Sequence, residues 1–510
     1  VVRQEHDDPR LDVAAKAIGE DLSRGVDALW LRCGVHHGTR VLTAGDLAIV
    51  LEGVDLGAVS VCFEPESDAL PVAAAVLALA RHRGVPFEAL RGSFGADPLG
   101  SLARAGSLSA GLGGTTRAAV DLATFAAERA PGMRAMLASS RPYADAGATA
   151  ADELAFTIAT GTSYLRALTN AGLSVDRAAS QIQFALSVSG HFFGQIAKLR
   201  AARLLWSKVV GAAGGSAEAQ AMALHARTAT FTKSARDPWV NMLRGTAESF
   251  AAIAGGADSV ATAPFDELLG PSDAFARRVA RNTQLVLREE SHLHRVVDPA
   301  GGSYYIEALT DDLARAAWEA FRAIEREGGM EHALPLGYVT RILEKTKEDR
   351  LERIRRRKDP VVGVSEFANL GETLPAREAV DMQEVDVELG HPLGAEGVPG
   401  DASSARGQDA RVRKVAELGR AAADESVPAP KLTELALEAA ALGVDFITMT
   451  SVLNDGNASV HMEPLTPFRA ASPFEALRDA SDARLASKGQ RPSVALVCLG
   501  SVAQHTARAT

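Results

Sequence analysis

Histidines form the closest pairs of potentially reactive side chains in this sequence of 510 residues. His36 and His37 are adjacent, whereas His292 and His294 are two residues apart and could bind a metal ion from one face of a strand. A metal site needs a third ligand, and no further histidine or cysteine stands near His292 and His294. Phosphate loops of the GxxxxGK[ST] type, HExxH and GxSxG are also absent from the sequence. Histidines that bind no metal are therefore the favoured interpretation.

A second polar group consists of His225, Arg227 and Thr228, which follow a short apolar run. In barrels of alternating strands and helices, the catalytic groups lie at the carboxyl ends of the strands. A strand that ends here would place these three side chains where a substrate could bind. The residue types alone predict no particular reaction, so the function stays open at this point.

Short β-branched runs alternate with long alanine-rich stretches from Val26 to about Leu309. The strands that this pattern predicts are Val26–Cys33, Ala58–Glu64, Ile182–Ser189 and Ala257–Thr262, and the helices are Val72–His82, Asp152–Ala171, Phe192–Val210 and Asp273–Glu290. Strands that are joined by helices pair in parallel through right-handed crossovers. About three hundred residues of this alternation favour an α/β fold with a (β/α)8 TIM-type barrel over an open sheet.

The composition is that of an acidic globular protein. The chain has 54 Lys and Arg against 64 Asp and Glu, a net charge of −10, which argues against non-specific nucleic-acid binding. Cys33, Cys62 and Cys498 are far apart and form no CxxC pair, so we expect a reduced, cytoplasmic protein without disulfides. The longest apolar run, Pro71–Ala80, is too short for a membrane span and predicts a buried helix. The chain begins with Val and without a secretory signal, and we expect that its start has been lost.

The residues after the barrel pattern divide into helices and linkers. The predicted helices are Asp311–Arg326, Leu343–Lys358, Asp409–Asp424 and Lys431–Gly443. Residues 369–408 are acidic and rich in Gly and Pro, which is typical of a linker, and further linker is expected after the last helix. A new strand, SVALVCLG, begins after Pro492. We therefore expect a barrel domain at residues 1–340, a linker region at 341–490 and the truncated start of a second α/β domain at 491–510.

Five long segments indicate a family more strongly than any single motif. They are AGATAADELAFTIATGTSYLRAL (146–168), IAKLRAARLLW (196–206), RDPWVNMLRGTAESFAAIAGGADSV (236–260), ARRVARNTQLVLREES (276–291) and DPAGGSYYIEALT (298–310). In the last of these, a turn at Asp298–Pro299 predicts that Tyr304, Tyr305 and Ile306 re-enter packed structure. Over nearly its whole length the chain resembles the methylmalonyl-CoA mutases, which are acyl-CoA mutases dependent on adenosylcobalamin. The resemblance implies a substrate-binding barrel, a linker and a flavodoxin-like cobalamin domain, whose degenerate start would be residues 491–510.

The resemblance also implies that a substrate-contacting motif of the catalytic chains has been lost. Those chains carry Gly-Tyr-His-Met-Gln-Glu just before the AGATA segment, and the Tyr and His contact the acyl group. Here Arg141 and Pro142 occupy those two positions, and proline has no imidazole to donate a hydrogen bond. Tyr143 is one place off and, in a strand, would face the opposite side.

Similar substitutions recur at three other positions of the family pattern. The contacting Gln of Gly-Thr-Ile-Gln-Asn-Asp is Gly95, the Gln of His-x-Gln-Thr is Arg227, and the His of GGTQSLHTN is Ala261, while His225 and Thr228 persist. Arginines that fill a channel emptied of substrate would need carboxylate partners. We expect Arg141 or Arg227 to fill it, with Asp145 and Asp97 as the nearest candidate partners in the sequence.

The cobalamin motif of the family is degenerate as well. Catalytic chains have Gly-x-Asp-x-His-x-x-Gly after a strand that ends in Lys, and the His coordinates cobalt while the Asp orients it. Here Val502 replaces the Asp, Gln504 the His, Ala507 the last Gly and Cys498 the Lys. His505 is one residue off and has no acidic residue two places before it. The resemblance therefore implies a chain that does not bind cobalt.

These losses resemble the small, non-catalytic subunit of heterodimeric bacterial methylmalonyl-CoA mutases. The resemblance implies no catalytic, cofactor-binding or metal-binding residue in this chain. It implies as partner a homologous catalytic large subunit, which would bind adenosylcobalamin and interconvert (R)-methylmalonyl-CoA and succinyl-CoA. Two alternatives stay open, a mutase with a rearranged site and a free-standing CoA-binding or scaffold protein. A homologous chain that co-purifies with this one would favour the subunit.

Overall fold

A computed structural model describes residues 1–65, 69–369, 371–375, 380–387, 389–391, 393, 405–453 and 460–492. Its strands are β1 (Val2–His6), β2 (Ala28–Gly34), β3 (Thr39–Arg40), β4 (Ser60–Pro65), β5 (Gly92–Ala96), β6 (Met133–Ser139), β7 (Ile182–Val188), β8 (Ala223–Thr228) and β9 (Ser259–Ala261). All pair in parallel, and β1 pairs with both β2 and β9, which closes a ring of eight strands. The two residues of β3 pair with the last two residues of β2. The predicted (β/α)8 TIM barrel is thus confirmed.

Helices surround this barrel and cover its outer surface. The helices are α1 (Leu11–Ser23), α2 (Ala44–Val50), α3 (Ala69–His82), α4 (Pro98–Ala105), α5 (Gly111–Arg129), α6 (Arg141–Asp145), α7 (Ala150–Asn170), α8 (Val175–Ser180), α9 (Phe192–Ala212), α10 (Val240–Ala254), α11 (Ala274–Leu285), α12 (Tyr304–Arg326), α13 (Met330–Ala333), α14 (Tyr338–Arg355), α15 (Met382–Val387), α16 (Ala405–Ala423), α17 (Lys431–Ala441), α18 (Phe446–Val452) and α19 (Ser472–Lys488). The predicted helices agree with these within a few residues at most ends. None of the helices in the described ranges is long and apolar enough to cross a membrane.

Strand β1 has no apolar pattern and was missed by the sequence analysis. Its residues Arg3, Gln4, Glu5 and His6 are polar, yet little of them is exposed to solvent. A strand at the centre of a barrel is usually apolar, because both of its faces are buried. Here the interior face carries Arg3 and Glu5, and Glu5 is paired with arginines of other strands, so the hydrophobic periodicity is lost.

Helix α3 is buried on nearly all sides, from Leu70 to Ala80. An ordinary barrel helix buries one face and exposes the other. The outer face of α3 is covered by α17, which also packs against α5. The apolar run at Pro71–Ala80 is therefore a buried helix, as predicted. Part of the region that was expected to link two domains thus packs directly on the barrel.

Two details of the later segments differ from expectation. Tyr304 and Tyr305 do not re-enter packed structure, because they lie exposed on the first turn of α12, and Ile306 is the first buried residue. Helix α19 occupies residues that were expected to be linker. Pro473 in its first turn and Gly489 at its end are ordinary helix boundary signals. The helix has almost no buried apolar stripe, which is why the periodicity did not reveal it.

Candidate functional site

Five charged side chains meet where the barrel strands end, and we name them the mouth cluster: Glu5, Arg32, Glu64, Arg141 and Arg227. Glu5 is central. Its Oε2 accepts a hydrogen bond from Arg227 Nε at 2.5 Å, while its Oε1 lies 3.5 Å from Arg32 Nη1 and 3.6 Å from Arg141 Nη1. Strands β1 and β8 are separated by β9, so Glu5 and Arg227 can meet only inside the barrel. One carboxylate therefore holds three guanidinium groups at the barrel mouth.

Further carboxylates complete the pairing of these arginines. Arg227 Nη2 lies 2.8 Å from Glu267, and Arg141 Nε lies 3.5 Å from Asp145. The expected partnership of Arg141 with Asp145 is confirmed.

Asp97 does not pair with either arginine, so that expectation was wrong. It caps α4 through the Gly100 amide at 3.0 Å and accepts a hydrogen bond from the Tyr164 hydroxyl at 2.5 Å. Asp97 directly follows β5 and is the N-cap residue of α4. Its carboxylate binds a backbone amide in the first turn of that helix, which has no partner within the helix, instead of an arginine.

The pKa shifts within the mouth cluster show which of its charged groups are stabilised by their surroundings. Burial would raise the pKa of Glu5, but Arg227, Arg141 and Arg32 together hold it well below its usual range. Burial opposes the charge of Arg227, yet Glu5 and Glu267 raise its pKa well above the usual value. For Arg141 the balance is reversed, because burial and the neighbouring Arg32 and Arg227 lower its pKa. Arg141 is therefore the poorly compensated cation of the cluster.

An aromatic layer lies deeper in the barrel than the mouth cluster. The rings of Trp30 and His225 are stacked with centroids 4.3 Å apart, and His225 Nδ1 lies 2.9 Å from Ser259 Oγ. Burial and the nearby Arg3 lower the pKa of His225 well below its usual value, so the imidazole is neutral. Trp30 also donates a hydrogen bond to Glu64 at 2.7 Å, which joins this layer to the mouth cluster.

A family model described as methylmalonyl-CoA mutase matches residues 26–457. The chain belongs to the methylmalonyl-CoA mutase family. It is 40% identical to the methylmalonyl-CoA mutase small subunit of Streptomyces virginiae, over 97% of this chain and 66% of that protein.

Two further relatives of the chain are a small subunit and a large subunit. It is 34% identical to a probable methylmalonyl-CoA mutase small subunit of Mycobacterium tuberculosis, over 96% of this chain and 65% of that protein. It is 33% identical to the methylmalonyl-CoA mutase large subunit of Streptomyces virginiae, over 68% of this chain and 47% of that protein. The chain spans about two thirds of the length of the small subunits that it matches.

Gly95 stands at the position of a substrate-contacting Gln in the family pattern, and the backbone there excludes a side chain. Its φ is +72°, and an added Cβ would lie 2.0 Å from the carbonyl oxygen of Phe63. The pairing of β5 with β6 shifts its register between Ser93 and Ala96, which accounts for the unusual backbone. This chain could accommodate a glutamine at position 95 only if β4 or β5 moved.

Pro142 and Tyr143 lie in the short helix α6 and not in a strand, so the argument from strand alternation was wrong in its premise. Tyr143 is fully buried, with its hydroxyl 3.3 Å from Thr160 Oγ1 and its ring 5.3 Å from the ring of Phe156. Both partners belong to α7, so Tyr143 packs between helices.

Thr228 and Ala261 also have defined places. Thr228 Oγ1 accepts a hydrogen bond from the Ala263 amide at 2.9 Å and thus holds the turn after β9. Ala261 pairs in register with Arg227 on the neighbouring strand. Because Ser259 faces the interior, alternation places the Ala261 methyl group on the same side.

The candidate metal ligands are not assembled into a site. His292 has a left-handed backbone, and His294 follows in a 3-10 turn and not in a strand. In the part of the chain that the structure describes, no three His, Cys, Asp or Glu side chains lie close enough to hold a metal ion. The residues of the degenerate cobalamin motif, from Cys498 to Ala507, lie outside the described residues.

The sequence analysis missed Glu5, Arg32 and Glu64, which hold the mouth cluster together. Arg32 and Glu64 stand directly opposite each other in the register of β2 and β4. Each lies near the carboxyl end of a strand that was predicted. A charged residue near the end of a buried strand was therefore the available signal.

Proposed function

We propose that this chain is the non-catalytic subunit of a heterodimeric methylmalonyl-CoA mutase. Its partner would be a homologous large subunit that binds adenosylcobalamin and interconverts (R)-methylmalonyl-CoA and succinyl-CoA, an isomerase reaction. The small-subunit names of its relatives support this assignment. A reducing cytoplasm suits the chain, since Cys33 and Cys62 are free and buried.

The observation that carries the proposal is the mouth cluster. Arg141 and Arg227, which replace substrate-contacting residues of catalytic chains, are both bound to Glu5 inside the barrel mouth. An acyl group placed there would have to displace one guanidinium and leave the carboxylate of Glu5 buried without its partner. Breaking a buried ion pair in this way costs about 3–5 kcal/mol. Such a barrel favours its own ion pairs over a substrate.

The donor set of residues 498–507 also fits adenosylcobalamin poorly. Gln504 offers an amide where the family pattern has the cobalt-binding imidazole, and Val502 offers no carboxylate to orient a neighbouring histidine. We therefore assign the cofactor to the partner and derive no step of the reaction from this chain.

The role that follows for this chain is structural. A radical enzyme must keep water and thiols away from its intermediates, which requires a closed and stable active site. A paralogous barrel can stabilise that closed state through a large pseudo-symmetric interface. The chain would then affect mutase activity only by stabilising the catalytic subunit.

The decisive experiment is reconstitution. The chain is purified alone and together with a co-expressed homologous large subunit, and succinyl-CoA formation is measured with added adenosylcobalamin. We expect activity only in the complex, and no change of the cobalamin spectrum with the chain alone. Turnover by the purified single chain, or failure to form a complex with the large subunit, would contradict the proposal. The free-standing CoA-binding or scaffold protein would instead form no complex with a homologous large subunit.

A further inference from the structure

A cleft of about 480 Å3 opens beside the mouth cluster, between the ends of β2 and β4 and the helix α4. Its basic wall is formed by Arg32, Arg104 and Arg141. Pro65 and Leu108 give it an apolar part. Glu64 is the one carboxylate among the described lining residues. The cleft therefore combines a cationic end with an apolar surface.

Arg104 supplies one guanidinium of the basic wall. It lies in the last turn of α4 and donates a hydrogen bond from Nη2 to Ser101 Oγ at 3.2 Å. Among the described residues it forms no ion pair. Its other N–H groups are therefore available to a ligand that enters the cleft.

Arg141 supplies a second donor on the same wall. Its Nη1 is buried and has no hydrogen-bond partner among the described residues, since the nearest carboxylate oxygens of Glu5 and Glu64 are 3.6 and 3.7 Å away. Normal N–H···O hydrogen bonds are shorter, at about 2.7–3.2 Å. The depressed pKa of this guanidinium means that an added anion would stabilise it.

We propose that this cleft binds the phosphate group of an organic phosphate monoester through Arg104 and Arg141. Phosphate oxygens accept paired hydrogen bonds from planar guanidinium groups, which bind them better than a point charge does. A volume in the range of small-molecule pockets has room for an organic body beyond the phosphate, and Pro65 and Leu108 would contact that body. The site does not depend on the proposed partner subunit.

The test uses the purified chain and calorimetric titration at constant ionic strength, with inorganic phosphate, AMP, adenosine, CoA and dephospho-CoA as probes. We expect inorganic phosphate to bind weakly and AMP to bind at least about tenfold more tightly, whereas adenosine does not bind. Tighter binding of CoA than of dephospho-CoA would identify the 3′-phosphate of CoA as one source of the monoester. Equal binding of AMP and adenosine, or no binding of AMP, would overturn the proposal.

Variants of Arg104 show whether the heat comes from this cleft. Arg104→Ala should weaken AMP binding at least about tenfold, and Arg104→Lys should weaken it less, because it keeps the charge but not the planar donor pair. Arg326→Ala, at the exposed end of α12, is the matched control and should leave the affinity unchanged. Unaltered AMP affinity in Arg104→Ala would place the ligand elsewhere and refute the assignment. If Arg104→Ala does not fold, Arg104→Lys is tested in its place, and unaltered AMP affinity in that variant refutes the assignment.

Discussion

Trp30 and His225 are stacked across the interior of the barrel, with their ring planes only 16° apart. They belong to strands β2 and β8, which are separated in the ring by β1 and β9. The pair therefore occupies the space around the barrel axis. Together with the mouth cluster it fills a region that an enzyme with a threaded substrate would have to keep open.

Trp30→Ala should destabilise the chain strongly, because the indole is almost fully buried and its removal leaves a cavity. We expect a loss of about 3–5 kcal/mol in the free energy of unfolding, measured by urea denaturation. Trp239→Ala is the control. It also stacks on an aromatic ring, that of Phe265, but it is 44% exposed and should cost much less. Equal losses in the two variants would contradict the packed interior.

The neutral state of His225 predicts a loss of stability in acid. Its pKa is lowered well below the usual value, chiefly by burial, so the unfolded chain takes up a proton below about pH 6.5 while the folded chain does not. Protonation of His225 in the unfolded chain therefore lowers the free energy of unfolding by about 1.4 kcal/mol between pH 7.5 and pH 5.5. In His225→Gln the difference in unfolding free energy between those pH values should shrink by that amount. His294→Gln, with an exposed ring, should leave the difference unchanged, and the same result in both variants would refute the prediction.

The ion pair of Glu5 and Arg227 should show strong coupling in a double-mutant cycle. Arg227→Met alone leaves Glu5 buried with fewer cations and should cost about 3–5 kcal/mol. The double variant Glu5→Gln, Arg227→Met should cost less than the sum of the single losses by at least about 1 kcal/mol. Arg315→Met, which breaks the exposed pair with Asp311, serves as the control and should leave stability unchanged within error. Additive losses at Glu5 and Arg227 would mean that the pair is not coupled.

Gly95→Ala separates steric exclusion from backbone preference. Gly95 and Gly53 have nearly the same φ, +72° and +71°, but an added Cβ meets Phe63 at the first position and nothing within 4 Å at the second. Gly53→Ala should cost only the conformational penalty of about 1–2 kcal/mol. Gly95→Ala should cost at least about 2 kcal/mol more, measured by thermal unfolding. Similar losses at the two positions would show that β4 and β5 can move apart.

Restoring the lost acyl motif should not restore turnover. Arg141→Tyr with Pro142→His returns both side-chain types, but the segment stays in helix α6 and the barrel interior stays filled by Trp30 and Arg227. Groups that act as a unit do not contribute singly. We expect no succinyl-CoA formation by the double variant with adenosylcobalamin. Its complex with the large subunit should keep activity, which controls for folding, whereas turnover by the variant chain alone would contradict this prediction.

The barrel could be predicted from the sequence because its helices and several strands have clear periodicity. Helix α12 illustrates this from Asp311 onward, the part that was predicted, since its buried residues Ala314, Ala317, Phe321 and Ile324 recur at helical spacing. Strand β1 could not be predicted. Its interior face carries the carboxylate of Glu5, whose charge is balanced by arginines from other parts of the chain, among them Arg227, which is 222 residues away. No local pattern contains that information.

The candidate site was predicted only in part for the same reason. The substitutions at Arg141 and Arg227 were visible in the sequence, and the need for carboxylate partners followed from burial. Asp145 was predicted because it is close to Arg141 in the sequence, and helix α6 brings the two side chains together at i+4. Glu5 and Glu64 were missed because they come from other strands, and only closure of the barrel brings them to the arginines.

The pairing of Val2 with Val260 has a consequence for biosynthesis. Strand β1 finds its second neighbour only after β9 has been synthesised, which at typical translation rates takes roughly ten seconds to a minute. Until then the nascent sheet has two open edges, and the ion pair between Glu5 and Arg227 is not held in a closed barrel. Such edges invite pairing with other chains. We therefore expect nascent chains of this protein to depend on chaperones until the ninth strand has left the ribosome.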